Sequence, residues 1–131
     1  NVPKRLDISL KDNKFKESYQ WGADIISSII ADHPEADCLF CTSDITAAGA
    51  LSAAQRHSIK VPNDLAICGS GDLDIAASTY PSLTTVDLSS RKMGSMAVNL
   101  IIDRLNQKKI KEKNFNISPT LVVRESTTSA E

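Results

Sequence analysis

The sequence predicts an α/β domain in which helices flank a mostly parallel sheet. Short apolar segments alternate along the chain with longer segments of helical periodicity, which is typical of βαβ units. Two apolar runs, 38–41 and 65–68, each end in polar residues, and a helix-like segment separates them. Because ligands of open α/β sheets bind outside the carboxyl ends of the strands, we expect Asp44 and Asp72 to mark the functional edge.

Length and composition are those of one globular domain. The chain has 131 residues, 24% of them charged, and a net charge of −1, all ordinary for a folded domain. The chain has no excess of basic residues, so this segment by itself lacks the positive charge that would bind nucleic acid. Aromatic residues make up only 5%, which also argues against a surface on which bases stack. No apolar run approaches the roughly 20 residues that cross a membrane. The chain opens without Met, directly into a strand-like segment, so we expect it to be part of a longer protein.

Three cysteines lie in or beside the strand-like runs. Their odd number and apolar surroundings favour buried, reduced thiols in a cytoplasmic protein. Cys38 and Cys41 form a C-x-x-C, but residues three apart in a strand point to opposite faces, so we expect neither a disulfide nor a metal there. His33 and His57 lie far from the cysteines in the sequence, which further weakens a zinc site.

The first part of the chain predicts a strand, a helix and a second strand. Polar and apolar residues alternate over 5–10, as in a half-buried strand. An apolar stripe at helical spacing predicts a helix over 17–31, with Ser18 as its N-cap. The run 38–41 shows no alternation and predicts a central strand that is buried on both faces.

The segment 45–57 predicts a helix that is rich in alanine and glycine. Such small side chains let neighbouring backbone approach closely. Close packing inside the fold and a contact with a second subunit both explain the composition. In the second case the interface would use Ala47, Ala48, Ala50, Leu51 and Ala54.

A turn at 61–64, with Pro and Asn-Asp, leads into the strand at 65–68. A short helical turn follows over 73–79. The β-branched segment 83–86 predicts another strand.

The helix predicted over 90–106 has a broad apolar face. Ser89 or Ser90 is its expected cap. A lysine-rich loop then leads to a last strand over 121–123. We expect 126–131 to be a frayed tail.

Five short segments, in order, are similar to one family. They are S-D-I-T-A-A-G-A-L (43–51), V-P-N-D-L-A-I followed by Gly69 (61–69), P-S-L-T-T-V (81–86), Met93-Gly94 with Ala97, and L-V-V-R-E-S-T (121–127). Together they resemble the lactose/galactose repressor (LacI/GalR) family of transcriptional regulators. The segment 71–77, with Gln55-Arg56 upstream, is most like the gluconate-repressor branch.

This resemblance implies a periplasmic-binding-protein-like fold, in which two subdomains hold an effector behind an N-terminal helix-turn-helix headpiece. Residues 1–88 and 115–127 would form the carboxyl subdomain without its first βα unit. Residues 89–114 would be a crossover helix and loop that belong to the missing amino subdomain, and 128–131 a tail. The crossover helix would then lack its partner sheet, so we expect a dimer or a swapped assembly to cover its apolar face.

Two acidic residues are the first candidates for effector contacts. Carboxylates accept charge-assisted hydrogen bonds from the hydroxyls of a polyol, which suits Asp44 at a strand's end. Asp44 could also only cap the following helix. Asp72 could contact the effector or hold the glycine turn at 69–71.

The resemblance adds four further candidates. Ser43 replaces the family's asparagine, and Ser90 follows the crossover strand. Phe15 and Lys16 fall in a loop where family members contact effector. Lys16 would favour an anionic ligand such as a sugar acid. The alternative, a solvated lysine without a ligand, is the more common role of a loop lysine. Ser70 replaces an aromatic residue of the family, which changes the shape of the site.

The expected function is therefore effector sensing and dimerisation within a cytoplasmic DNA-binding repressor. The effector would be a sugar or a sugar acid such as gluconate, and operator DNA would be bound through the headpiece, which this chain lacks. The alternative is a periplasmic sugar-binding transport protein of the same fold. The sequence has no nucleophile elbow, phosphate-cradling loop or metal-ligand spacing, so we expect neither an enzyme nor a cofactor.

Overall fold

A computed structural model describes residues 18–108 and 114–128 of the chain. Helices and strands alternate within these ranges. They are α1 (Tyr19–Asp32), β1 (Cys38–Phe40), α2 (Asp44–Arg56), β2 (Ala66–Ser70), α3 (Asp74–Ser78), β3 (Thr84–Asp87), α4 (Ser90–Leu105) and β4 (Thr120–Val122). A 3-10 turn, Glu125–Thr127, follows β4. The strand expected over 5–10 lies outside the described residues.

The four strands form one sheet in the order β1-β2-β3-β4. β1 and β2 are parallel, with Leu39 opposite Ile67, and β2 and β3 are parallel, with Gly69 opposite Thr85. β4 runs antiparallel to β3. The predicted fold class, an α/β domain with a mostly parallel sheet flanked by helices, is confirmed.

The hydrophobic core lies between this sheet and the helices α1 and α2. Five large apolar side chains are almost completely removed from solvent, and each contributes about 1.5–3 kcal/mol to folding. They are Ile26, Leu51, Leu65, Ile67 and Leu83. The 3-10 turn packs on the opposite face of the sheet, where Thr84 contacts Thr127 through their hydroxyl groups at 2.6 Å.

α1 and α2 pack against each other with their backbones in close contact. A Cβ atom at Gly22 would fall on the carbonyl of Thr46, and one at Gly49 on the carbonyl of Tyr19, both well inside the 3.0 Å that real Cβ atoms keep. Ser18 caps α1 as predicted, because its Oγ accepts a hydrogen bond from Trp21 N at 3.1 Å. The glycines are thus required by the distance between the two helices.

The small residues of α2 serve this internal contact. All five residues that we expected at a subunit interface are at most 3% exposed within the single chain: Ala47, Ala48, Ala50, Leu51 and Ala54. They offer no surface to a partner while the domain is folded. The structure therefore corrects the subunit interpretation in favour of close packing inside the fold.

β1 differs from the strand that the sequence predicts. In the described sheet it lies at an edge, and Cys38 and Phe40 are exposed while Leu39 is buried. The prediction of a strand buried on both faces is wrong for these residues. All three cysteines are free. Burial raises the pKa of the Cys41 thiol to about 12, and it also raises the pKa values of Cys38 and Cys68.

The segment after β4 is held firmly, in contrast to the predicted frayed tail. Ser126 is fully buried; its Oγ donates to the carbonyl of Ile67 at 2.6 Å and accepts from Thr84 N at 2.8 Å. The backbone N–H and the hydroxyl of Ser82 both donate to Glu125 Oε2, which lowers the pKa of that carboxyl group. This segment therefore belongs to the domain.

α4 stands apart from the rest of the described structure, and none of its residues is buried. Ser89 is its N-cap residue, as predicted, but the backbone of Ser89 is left-handed (φ 55°) and its side chain makes no cap hydrogen bond. Among the described helices, α4 included, none has the length and apolar character needed to cross a membrane.

Candidate functional site

An open cleft with a volume of about 750 Å³ lies where β2 and β3 end and α4 begins. Most of the residues that line it carry polar or charged side chains. It consists of Gly71, Asp72, Leu73, Asp87, Ser89, Ser90, Arg91, Lys92 and Ser95. The carboxyl ends of parallel strands meet at this edge of the sheet, which is where ligands of such sheets bind.

A second hollow, of about 280 Å³, lies on α4 alone. Its lining is Leu100, Ile101, Arg104 and Leu105. One face of one helix cannot surround a small molecule, and the apolar side chains offer little to orient a ligand. The cleft at the strand ends is therefore the better candidate site.

Asp72 lies in the floor of this cleft and is held by two other parts of the chain, β3 and the segment after β4. Its backbone is left-handed (φ 48°), and its N–H donates to Thr85 Oγ1 at 3.3 Å. Its carboxylate Oδ1 accepts a hydrogen bond from Arg124 Nη2 at 2.7 Å. Its backbone thus forms the turn, and the residue also lines the cleft. The expected contact between Asp72 and an effector stays a prediction.

Asp44 lies behind this floor and does not line the cleft. It is fully buried, and its two carboxyl oxygens accept hydrogen bonds from Thr85 Oγ1 at 2.5 Å and from Leu73 N at 2.8 Å. In this structure Asp44 therefore joins the first turn of α2 to β3 and to the turn after β2. The expected direct contact between Asp44 and a ligand stays a prediction.

The absence of a side chain at Gly69 leaves the space that the Asp44 carboxylate occupies. A Cβ atom at Gly69 would collide with Asp44 Oδ1 and come within 3.0 Å of Leu83 Cδ2. Gly71, two residues on, has φ 128°, a conformation that favours glycine. The two glycines of the motif thus serve a close side-chain approach and a turn.

The other predicted site residues fall in different places. Ser43 is buried and caps α2, because its Oγ accepts a hydrogen bond from Ile45 N at 3.3 Å. In this position it does not reach the cleft. Ser90 is exposed and lines the cleft, so the structure brings it together with Asp72. Phe15 and Lys16 lie outside the described residues.

Charges of both signs line the cleft. Asp87 Oδ1 accepts a hydrogen bond from Ser89 N at 2.7 Å. Arg91 and Lys92 are exposed in the first turn of α4, and within residues 18–108 and 114–128 neither has an acidic partner within ion-pair distance. The cleft can bind hydroxyl groups through hydrogen bonds and can balance a negative charge.

Sequence reasoning missed Thr85, Arg124, Arg91 and Lys92. Arg124 is separated from Asp72 by 52 positions, and no local pattern connects the two. Arg91 and Lys92 could have been placed from the start of the predicted helix over 90–106. In the part of the chain that the structure describes, no three His, Cys, Asp or Glu side chains come together as a metal site.

Comparisons with known proteins agree on a family. The periplasmic binding protein-like domain family matches residues 3–127. The ribose operon repressor of Halalkalibacterium halodurans is 33% identical over 107 residues, which are 82% of this chain and 32% of the repressor. The transcriptional repressor PurR of Pasteurella multocida is 32% identical over 108 residues, with the same coverage of 82% and 32%.

A solved structure shows the same relationship. The transcription regulator GntR from Chromobacterium violaceum is 35% identical and superposes with a TM-score of 0.82, covering 86% of this chain and 41% of that one. The chain thus spans about a third of the length of the curated relatives it matches.

Proposed function

This chain belongs to the periplasmic binding protein-like domain family, and from that premise we propose that it is the effector-sensing part of a LacI-type transcriptional repressor. The polar cleft at the ends of β2 and β3 is the observation that carries the proposal. Its size and its polar side chains suit a small molecule, and the described residues that line it do not include a set that resembles a catalytic one. The relatives are transcriptional repressors, which favours regulation over catalysis.

The effector that suits this cleft is a sugar or a sugar acid such as gluconate. Asp72 Oδ1 pairs with Arg124, so the second carboxylate oxygen is left to accept a hydroxyl proton from the ligand. The hydroxyl of Ser90 can either donate or accept. Lys16 falls in a segment where, by resemblance, family members contact effector, and it would add a positive charge that favours an anionic ligand.

In the complete protein the cleft would be closed by an amino subdomain. Residues 1–88 and 115–127 would form the carboxyl subdomain, and 89–114 would cross to the other one. Effector binding would shift the population between two subdomain arrangements, and with it the spacing of the headpieces in a cytoplasmic homodimer bound to operator DNA.

A periplasmic sugar-binding transport protein is the second candidate, because the family match is to a periplasmic binding protein-like domain. The gene sequence upstream of this chain discriminates the two. A basic helix-turn-helix there supports the repressor, and a signal peptide supports transport.

The proposal is tested by thermal unfolding of the full-length gene product with a panel of sugars, sugar acids, sugar phosphates and purines. We expect stabilisation by a sugar or a sugar acid, since a ligand at 100 times its Kd adds about 2.7 kcal/mol to the free energy of unfolding. Asp72→Asn should weaken this binding about tenfold or more, because it removes a hydrogen bond to a charged group.

The matched control is Asp24→Asn, which changes an exposed aspartate on α1 that does not line the cleft. It should leave binding unchanged. Stabilisation by purines alone, or by no member of the panel, would show that the proposed effector class is wrong.

A further inference from the structure

We propose that Arg124 determines the charge class of the effector: by neutralising Asp72, it lets the cleft accept an anionic polyol in preference to a neutral one. This inference rests on the proposed function, since it concerns the ligand of the same cleft.

The first step is the ion pair itself. Arg124 Nη2 lies 2.7 Å from Asp72 Oδ1, and the two side chains are only 20% and 29% exposed. Solvent therefore screens this pair less than it screens a pair on the open surface. Without Arg124, Asp72 would present an uncompensated negative charge to any ligand in the cleft.

The second step is the rigidity of Arg124. Its Nη1 donates to the carbonyl of Leu83 at 2.9 Å, and its backbone N donates to Thr84 Oγ1 at 2.8 Å. These contacts hold Arg124 beside the start of β3, and from there its guanidinium group reaches Asp72. Arg124 is thus a positioning residue that acts on the ligand through the carboxylate it holds.

The third step is the charge that is left on the cleft wall. Asp72 and Arg124 cancel each other. Among the other described residues that line the cleft, Asp87 carries one negative charge, and Arg91 and Lys92 carry two positive charges. The first turn of a helix adds further positive potential. The wall therefore favours a ligand that carries a carboxylate as well as hydroxyl groups.

The test compares two ligands of equal carbon chain, gluconate and its uncharged sugar alcohol glucitol. Their affinities are measured by calorimetry on the full-length gene product. We expect the wild-type protein to prefer gluconate. Arg124→Met should reduce the ratio of gluconate affinity to glucitol affinity about tenfold. The reason is that the negative charge of Asp72 would then be unpaired and would repel the carboxylate of gluconate at close range. Arg124→Lys, which keeps the charge, should retain most of the preference.

A second variant keeps the inference testable if Arg124→Met does not fold. Asp72→Asn should weaken the binding of both ligands but raise the preference for gluconate, because it leaves the charge of Arg124 unopposed. In the double variant Asp72→Asn with Arg124→Met, the preference should return towards that of the wild-type protein.

The outcomes separate the inference from the proposed function. If the wild-type protein binds glucitol as well as or better than gluconate, the effector site stands and the charge assignment is overturned. If Arg124→Met weakens both ligands equally, Arg124 has only a structural role and the inference fails. If neither ligand, nor any other polyol, binds the wild-type protein, the proposed function itself fails.

Discussion

Asp44 connects three segments through its two carboxyl oxygens. It lies in the first turn of α2, and it accepts hydrogen bonds from Thr85 on β3 and from Leu73 in the turn after β2. The same Thr85 hydroxyl group accepts a hydrogen bond from Asp72 N. The floor of the cleft is therefore supported by a buried network, in which each polar group has a partner.

This network predicts a stability effect. Asp44→Asn, or Thr85→Val, should lower the free energy of unfolding by about 1.5–3 kcal/mol, because each leaves buried polar groups without a suitable partner. Equilibrium unfolding in urea, followed by circular dichroism, measures the change.

An exposed aspartate supplies the control for this prediction. Asp24→Asn on α1 should shift the free energy of unfolding by no more than about 0.5 kcal/mol. If Asp44→Asn were as stable as Asp24→Asn, the network would not hold the floor of the cleft.

At the scale of residues, the sequence predicts which side chains lie at the carboxyl edge of the sheet. It does not predict the direction in which each of them points. Strand ends and polar clusters put Asp44 and Asp72 near each other, as found. Whether each points into the cleft or into the core depends on Thr85, Gly69 and Arg124. These lie on other strands or segments, and no spacing along the chain reveals their contacts.

Two helices illustrate how glycine acts at the scale of elements. In α2, Gly49 lies against the backbone of Tyr19, so there is no room for a side chain. In α4, Gly94 has no atom within 4 Å of where its Cβ would be. The same substitution should therefore have opposite effects in the two helices.

We predict that Gly49→Ala lowers the free energy of unfolding by about 1–3 kcal/mol or more, because α1 and α2 must separate to admit the methyl group. Gly94→Ala is the matched control, and it should raise helix stability by up to about 1 kcal/mol, since alanine costs less backbone entropy. Thermal and urea unfolding of both variants measure the difference. Equal effects in the two helices would mean that α1 and α2 are not in the close contact described.

Hydrophobic periodicity, with turn residues and β-branching, predicted the order and type of the elements that the structure describes. Helices over 17–31 and 45–57 were recovered within about two residues at each described end. The predictions that were wrong concern the burial of residues and not their local backbone conformation. Cys38 is exposed because β1 is an edge strand in the described sheet, and Ser126 is buried because its hydroxyl group bonds to β2 and β3. Neither fact is encoded in the adjacent residues.

At the scale of the whole molecule, α4 is the element whose packing is incomplete. Its apolar side chains follow the spacing i, i+3, i+4, i+7 and are all exposed, Leu105 by 77%. They are Val98, Ile101, Ile102 and Leu105. Complete burial of each such side chain is favourable by about 1.5–3 kcal/mol of free energy. Packing of this face against another surface would therefore be strongly favourable.

We predict that the 131-residue chain by itself self-associates through α4. Size-exclusion chromatography with light scattering at micromolar concentration should give a mass of at least a dimer. The double variant Ile101→Asp with Leu105→Asp should be monomeric, because burying two carboxylates in the contact costs more than the remaining apolar area gains. Its fold should be unchanged, since both side chains are exposed in the single chain.

Ile30→Asp provides the matched control, because Ile30 is an exposed apolar residue on α1. This variant should associate as the wild-type chain does. A wild-type chain that is monomeric at micromolar concentration would contradict association altogether, and a dimer that persists in the α4 variant would place the contact elsewhere. Because the small residues of α2 are buried inside the fold, we expect association of this chain to use α4 and not α2.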